Sequence, residues 1–288
     1  MSACVIFNQL IRTFLSQPNQ HEALSMAAFD QAAAAYDAAF SYSPVGKLQR
    51  ERVHHFFRQE INGKALQVLE INCGTGEDAL WFAAGGHHVI ATDVSAMMIA
   101  LADEKTKGHS YKGTVQTRQL AFRDLKDAFA PHSFDLVFSD FGGLNCIPPA
   151  AISTLLQDAD LLLKPGGRFI AVIMGRKCVW ERCYFLLKGK KQEAYRRNNT
   201  APLDVPLGKQ QMPAWYYAPS AIRRMAASLF TCTAVKPVGI VLPPSYLQPF
   251  FTKRKSWLSA LNRLEPLLSF SAFSNYADHF YISLRKKN

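Results

Sequence analysis

The stretch "VLEINCGTGEDAL", residues 68–80, decides how the rest of the chain is read. A short apolar run leads into a turn containing Gly74 and Gly76, and three carboxylates crowd it: Glu70, Glu77 and Asp78. Glycine turns between a strand and a helix usually hold a nucleotide, often by its phosphates, because the backbone amides at the helix start face the ligand. This turn carries so much negative charge that the identity of its ligand becomes the central question.

Working outward, "ALQVLEI" predicts a strand, "GEDALWFAAGG" a helix ended by Gly85 and Gly86, "HHVIATD" a second strand and "SAMMIALADEKTKG" a helix capped by Ser95. A third strand is expected near "VQTRQLAF" and a fourth at "FDLVFSD". The helix "AAISTLLQDADLLL" should then end at Lys164, before "PGG" turns into the strand "RFIAVIM". Such alternation is the mark of a parallel sheet covered by helices. Beyond Met174 a basic, aromatic-rich stretch runs over 175–219. Order resumes with a helix "AIRRMAASLF" capped by Ser220, a strand "TCTAVKPVGIVL", a second insertion over 243–278 and a last strand "HFYISLRK". Ahead of the core, "EALSMAAFDQAAAAYDAAF" is Ala-rich and strongly helix-forming.

A chain of 288 residues with 49% apolar content can bury an extensive core. Its longest apolar runs fall short of the roughly 18 to 20 residues that span a bilayer, and its first residues show neither a basic leader nor a cleavage site, so a soluble, cytoplasmic protein is expected. Six cysteines without a CxxC pair are expected to be free thiols, and no metal site is expected. The net charge of +11 is uneven: residues 1–150 carry 12 basic against 15 acidic side chains, residues 151–288 carry 21 against 7. A basic second half fits either an anionic partner or a solvated exterior.

In an open α/β sheet, ligands bind beyond the carboxyl ends of the strands, which places Glu70, Asp93, Phe122, Asp124 and Asp140 where a ligand would lie. An acid about 20 residues after the glycines suits the hydroxyls of a ribose, so the ligand is expected to contain a nucleoside. The run Gly74-Thr75-Gly76-Glu77-Asp78-Ala79 also satisfies the loose GxGxxG/A dinucleotide pattern. A pyrophosphate, however, would meet Glu77 and Asp78 in the first helical turn. S-adenosylmethionine, with a sulfonium, an ammonium and no phosphate, is favoured there electrostatically.

At this point "VLEINCGTG" resembles motif I of the class I S-adenosylmethionine-dependent methyltransferases. "ATDVSAMMIALA" resembles the motif with the ribose acid, "SFDLVFSDFGGLNCI" the fourth-strand motif, and "LLLKPGGRFIAVIM" the following helix and fifth strand. "AFDQAAAAYDAAF" is similar to the N-terminal lid helix of the quinone-biosynthesis type. The resemblance implies a Rossmann-like, doubly wound, seven-stranded sheet with an antiparallel last strand. It divides the chain into a helical lid (1–60), a cofactor-binding core (61–174), a substrate cap (175–219) and the C-terminal part of the core sheet (220–288). It implies that Glu70, Asn72, Gly74 and Gly76 shape the pocket for the methionine end of the cofactor, and that Asp93, with Val94 beside it, binds the ribose. Phe122 or Asp124 would lie near the adenine, Asp140 or Phe141 near the amino group, and Tyr36 would close over the site. Asn72 stands where the family usually has glycine, and asparagine is the side chain that best tolerates a left-handed backbone. Gly74 and Gly76 could also be simple turn glycines, Asp93 a helix cap and Asp124 a solvated acid.

The implied reaction is methyl transfer to a small, hydrophobic or lipid-like acceptor, by O- or C-methylation of a phenolic, quinone-like or lipid compound. The loop "DFGGLNCIPP" lacks the Asn/Asp-Pro-Pro-aromatic tetrad of enzymes that methylate base or glutamine nitrogens, and its Gly142 and Gly143 would permit close approach of substrate or lid. Nucleic acid is therefore not expected as a partner. The insertions supply Trp180, Tyr184, Phe185, Trp215, Tyr216, Tyr217, Tyr246, Phe250, Phe251 and Trp257 for an apolar cavity. Val179, Cys183 and Leu187 share a helical face ringed by Arg176, Lys177, Arg182 and Lys188, which fits peripheral contact with a membrane. No histidine is placed as a catalytic base. An NAD-dependent oxidoreductase and a cofactor-binding protein without catalysis remain as alternatives.

Overall fold

The computed structural model describes residues 20–61, 63–108, 110–247 and 255–288; Cys4, Phe250 and Phe251 lie outside them. The Ala-rich segment is α1 (Gln20–Tyr36), continued by one turn of π-helix, Asp37–Ser41. Ser43 then caps α2 (Pro44–Glu60) by accepting from Gly46 N at 2.9 Å, with Pro44 at the position where a missing N–H costs nothing.

The core follows as β1 (Gln67–Glu70), α3 (Glu77–Ala84), β2 (His88–Asp93), α4 (Ala96–Thr106), β3 (Thr114–Gln119), β4 (Phe134–Ser139), α5 (Pro149–Leu162) and β5 (Leu163–Met174). The first insertion forms α6 (Val179–Leu187) and a two-stranded hairpin, β6 (Leu203–Leu207) with β7 (Gln210–Ala214). The chain closes with α7 (Pro219–Ala226), β8 (Phe230–Val238), α8 (Lys255–Leu264) and β9 (His279–Lys286).

Seven strands form one sheet in the order β3-β2-β1-β4-β5-β9-β8. β1 to β5 run parallel, and β9 lies antiparallel between β5 and β8. Alternation along the strands feeds two cores. Leu69, Phe169, Ala171, Ile173, Phe280 and Ile282 face α5 and α7, while Val68, Ile170, Val172 and Tyr281 face Val53 and Phe57 of α2 and Phe82 of α3.

Several elements differ from the sequence reading. The third strand stops at Gln119, and Phe122 and Asp124 occupy a 3-10 turn beyond it. α5 ends at Leu162 because Leu163 already pairs with Phe134 of β4. The "PGG" turn is accommodated inside β5 by a register shift, with Gly166 at φ +72°. Ser220 lies inside α7, which has Pro219 at its start and no side-chain cap. The β6-β7 hairpin carries prolines on both strands, Pro206 and Pro213, which masked it from propensity.

One buried acid holds the second insertion to the sheet. Glu265, 1% exposed, accepts from the backbone N–H groups of Gly239 (2.8 Å), Ile240 (3.1 Å), Val241 (2.7 Å) and Leu242 (2.9 Å), fastening the chain that leaves β8. Glu265→Ala strands these donors, each costing about 1 to 3 kcal/mol when buried, so a loss of roughly 3 kcal/mol or more is expected. Thermal unfolding should show Tm falling by about 6 to 12 °C, and Glu265→Gln, which keeps one acceptor oxygen, should fall by less; an unchanged Tm in both variants contradicts this account.

Candidate active site

The reversal of strand order between β1 and β4 opens a crevice at the carboxyl edge of the sheet, and the glycine turn lies at its mouth. Gly74 (φ +53°) and Gly76 (φ +83°) adopt left-handed backbone for different reasons. A Cβ on Gly76 would meet Ala102 Cβ at 3.0 Å, so this glycine lets α3 pack on α4. A Cβ on Gly74 would lie 3.9 Å from the Tyr36 ring, which hangs over the turn from the end of α1. Asp93 ties the two halves together: Oδ2 accepts from Gly74 N and Oδ1 from Ser95 N, both at 2.9 Å, and Ser95 caps α4. Each carboxylate oxygen retains acceptor capacity toward the crevice. Burial pushes the Asp93 carboxyl up to about 6 against these donors.

The crevice holds a cavity of about 320 Å³, within the size range of small-ligand sites. Tyr36, Asn72, Gly74, Asp93, Val94, Phe122, Asp140 and Phe141 line it. Glu70 and Gly76 do not: Glu70 is 1% exposed beneath the turn, and Gly76 is turned toward α4. Asp124 also stands outside, beside Arg123 at 3.7 Å. The structure adds Arg50 and Asp78 at one end, Met98, Leu120 and Ile147 as apolar wall, and Phe29 and His21 from α1. Sequence periodicity gave no sign of Arg50, which is one of several basic residues on α2 and enters the site only through tertiary packing.

The turn acids are answered locally. Arg50 pairs with Asp78, which also takes a hydrogen bond from His54 Nε2 at 2.7 Å, with the His54 ring stacked on Trp81 at 3.8 Å. Although burial opposes it, Arg50 and then His54 hold Asp78 down at about 2. Glu77 pairs with Lys105 at 2.6 Å and accepts from the Tyr42 hydroxyl at 3.1 Å. The expectation that Glu77 and Asp78 repel a phosphate as bare charges is thus corrected: both are ion-paired. The unmet charge lies deeper. Burial, then Asp78, push Glu70 and Asp140 well above the ordinary carboxylate range. Glu70 Oε2, Asp140 Oδ2 and Arg50 Nε are buried without a hydrogen-bond partner.

Three acids on one face of the N-terminal helix, eight and seven residues apart, fasten it over the crevice. Glu22 pairs with Arg123 after β3. Asp30 accepts from Ser95 Oγ (2.5 Å) and Met97 N (3.2 Å) after β2. Asp37 accepts from Thr75 Oγ1 (2.5 Å) and pairs with Lys105 (2.6 Å) after β1. Phe40 meets Phe141 across the gap at 5.1 Å between ring centroids.

Asn72 is not left-handed, contrary to the sequence expectation. Its side chain bridges β1 to β4: Nδ2 donates to Asp140 O (2.6 Å) and Oδ1 accepts from Ser139 Oγ (2.5 Å). A Cβ on Gly143, which also lines the cavity, would lie 2.3 Å from the Asn72 amide carbon, so that glycine makes room for Asn72. Phe141 takes the left-handed backbone instead (φ +35°), a costly conformation for a bulky side chain that functional loops often hold. Asn145, fully buried, holds Met174 N (2.8 Å) and Trp215 O (2.5 Å), and so joins the β4 loop to the hairpin. None of the described aromatics of the two insertions lines the cavity; its apolar wall comes from α1 and the core.

Residues 68–167 match the family model described as a methyltransferase domain. Among curated proteins, the chain is 31% identical over 140 residues to malonyl-[acyl-carrier protein] O-methyltransferase of Erwinia pyrifoliae, covering 48% of this chain and 49% of that protein. It is 32% identical over 163 residues to demethylmenaquinone methyltransferase of Clavibacter sepedonicus, covering 56% and 61%. The matched region thus spans between about half and three fifths of either relative. Among solved structures, the PH0226 protein of Pyrococcus horikoshii OT3 superposes with a TM-score of 0.55 at 16% identity, covering 88% of this chain and 99% of that one. Residues 68–167 are thus a methyltransferase domain by their match, and with the sheet order and the glycine turn the core of this chain is similar to the class I S-adenosylmethionine-dependent methyltransferases.

Proposed function

We propose that the protein transfers the methyl group of S-adenosylmethionine to a small, apolar acceptor through an oxygen or carbon nucleophile of the phenolic, quinone-like or lipid kind. The observation that carries this reading is the set of buried, unpartnered polar atoms around the glycine turn: Glu70 Oε2, Asp140 Oδ2 and Arg50 Nε. Asp140, whose carboxyl lines the cavity and is short of a donor, and Arg50, short of an acceptor, suit the ammonium and carboxylate at the amino-acid end of the cofactor, with Glu70 adding negative charge from beneath the cavity. Asp93 suits the ribose hydroxyls, and Val94, Met98, Leu120 and Phe122 form an apolar wall suited to the adenine. Displacement at a sulfonium methyl is in-line, and holding nucleophile and methyl in near-attack geometry supplies much of the rate. The names of the relatives specify different acceptors, so the acceptor class rests on the apolar cavity wall and on a β4 loop whose Asn145 is consumed in structural hydrogen bonds.

Calorimetric titration with S-adenosylmethionine, S-adenosylhomocysteine and NADH tests the reading: the first two should bind and NADH should not. Binding of NADH alone would return the glycine turn to the dinucleotide reading. Asp93→Ala should weaken S-adenosylhomocysteine binding about tenfold to a hundredfold, from loss of charge-assisted hydrogen bonds. Methyl transfer from labelled cofactor to apolar extract fractions then separates an enzyme from a protein that only binds.

Affinity should also depend on pH. The ligand prefers ionised carboxylates whose pKa values are raised in the empty site, so binding strengthens as pH rises. Adenosine, which presents a ribose but no ammonium, should lose affinity as pH falls through about 6, where Asp93 titrates. S-adenosylmethionine should also feel the higher-lying Glu70 and Asp140, and should release protons on binding. Equal pH profiles for the two ligands would remove Asp140 from the ammonium site and Glu70 from its field.

The three latches of α1 should govern escape of the product. Asp30→Asn and Asp37→Asn should each speed S-adenosylhomocysteine dissociation about three- to tenfold in stopped-flow measurements, and added salt should narrow the difference from the parent protein. Unchanged dissociation rates would show that α1 does not gate the cavity.

A further inference from the structure

We propose that the outer face and C-terminal end of α6 form a docking surface for an anionic lipid bilayer. This goes beyond the methyl-transfer reading and does not depend on which acceptor is used. α6 is held from inside: buried Glu181 accepts from Arg196 Nε (2.8 Å) and Arg197 Nε (3.1 Å), and Trp180 Nε1 donates to Val241 O (3.0 Å). On the other side, Val179, Cys183, Leu186 and Leu187 follow at helical spacing, and all four are exposed. Leu187 is 89% exposed, at the very end of the helix.

Lysines ring this tip. Lys188, Lys190 and Lys191 are exposed there, Lys177 is exposed at the start of the helix, and Glu193 is the nearby partly buried acid, paired with Lys190 at 3.5 Å. Arg182 lies over Tyr195 at 5.1 Å and Lys188 over Tyr184 at 4.4 Å, so two of the cations rest on aromatic stems at the rim. Charge complementarity identifies an anionic occupant. Shape favours a bilayer over an acidic protein: the apolar residues stand out at a helix end rather than lining a groove. An interface of lipid headgroups admits projecting leucines while lysines extend to the phosphates. The tip also faces usefully. α6 begins five residues after Met174, whose backbone N–H donates to Asn145 of the β4 loop, so it belongs to the edge of the sheet that bears the cavity.

The test is sedimentation of the whole protein with vesicles of phosphatidylcholine alone and of phosphatidylcholine mixed with phosphatidylglycerol, at low and at raised salt. The protein should sediment with the anionic vesicles and be released by salt. Lys188→Gln, Lys190→Gln and Lys191→Gln combined should weaken binding by about fivefold per lysine removed. Leu186→Ser with Leu187→Asp should weaken it by about tenfold or more at unchanged lysine content. Both variants alter exposed residues and should keep the parent Tm and S-adenosylhomocysteine affinity, so loss of lipid binding is separable from failure of the cofactor reading. Equal sedimentation of parent and variants overturns the proposal, as does absence of sedimentation by the parent at low salt. Lysine-dependent binding to purified acyl carrier protein without binding to vesicles also overturns it, in favour of an acidic protein partner.

Discussion

Three carboxyls, Glu70, Asp78 and Asp140, are buried around one guanidinium, that of Arg50. The imbalance is the constraint from which the rest of the site follows. A buried charge is tolerated when paired and otherwise shifts toward neutrality. Arg50 spends itself on Asp78, and His54 assists from behind. Glu70 and Asp140 are left with burial and Asp78 against them, and both are driven toward the neutral acid. Such a site stores unmet attraction for a cation. The proposed cofactor reading rests on this imbalance: a ligand bringing an ammonium to that place would let the carboxyls ionise.

The architecture that concentrates these acids was largely legible in the sequence. Strand-ending acids at 70, 93 and 140 recur at the carboxyl edge because parallel strands wound by right-handed crossovers bring every such end to one side. The glycines at 74 and 76 and the cap at Ser95 could be read because each is a local requirement of backbone geometry. The antiparallel β9 followed from resemblance alone, since the alternation of "HFYISLRK" is the same in either direction.

Residues that act through tertiary contact were not legible. Arg50 sits on a helix whose pattern marks it only as one basic residue among several, and it becomes part of the site because α2 packs its Val53 and Phe57 against the sheet. Asn72 was visible as a departure from glycine, but its reason was not. The side chain adds a bridge between β1 and β4, and Gly143 leaves room for it from 71 residues away. The insertion aromatics misled in the opposite direction: Trp215 and Tyr217 join the main core and Tyr246 and Trp257 stand exposed, while the cavity wall is supplied by α1 and the core.

The preference for a sulfonium cofactor over a dinucleotide consequently rests on different groups from those the sequence singled out. Glu77 and Asp78, in the first turn of α3, are matched by Lys105 and Arg50 and present little net charge to a phosphate. A pyrophosphate at this helix start would compete with Asp78 for Arg50. Releasing Asp78 from Arg50 would leave three buried acids without their cation, at a cost of several kcal/mol for the uncompensated carboxylate. In the proposed reading an amino-acid carboxylate approaches the unpartnered Arg50 Nε without breaking that pair, while its ammonium meets Asp140. The discrimination therefore comes less from repulsion at the surface of the turn than from the stability of the buried network behind it.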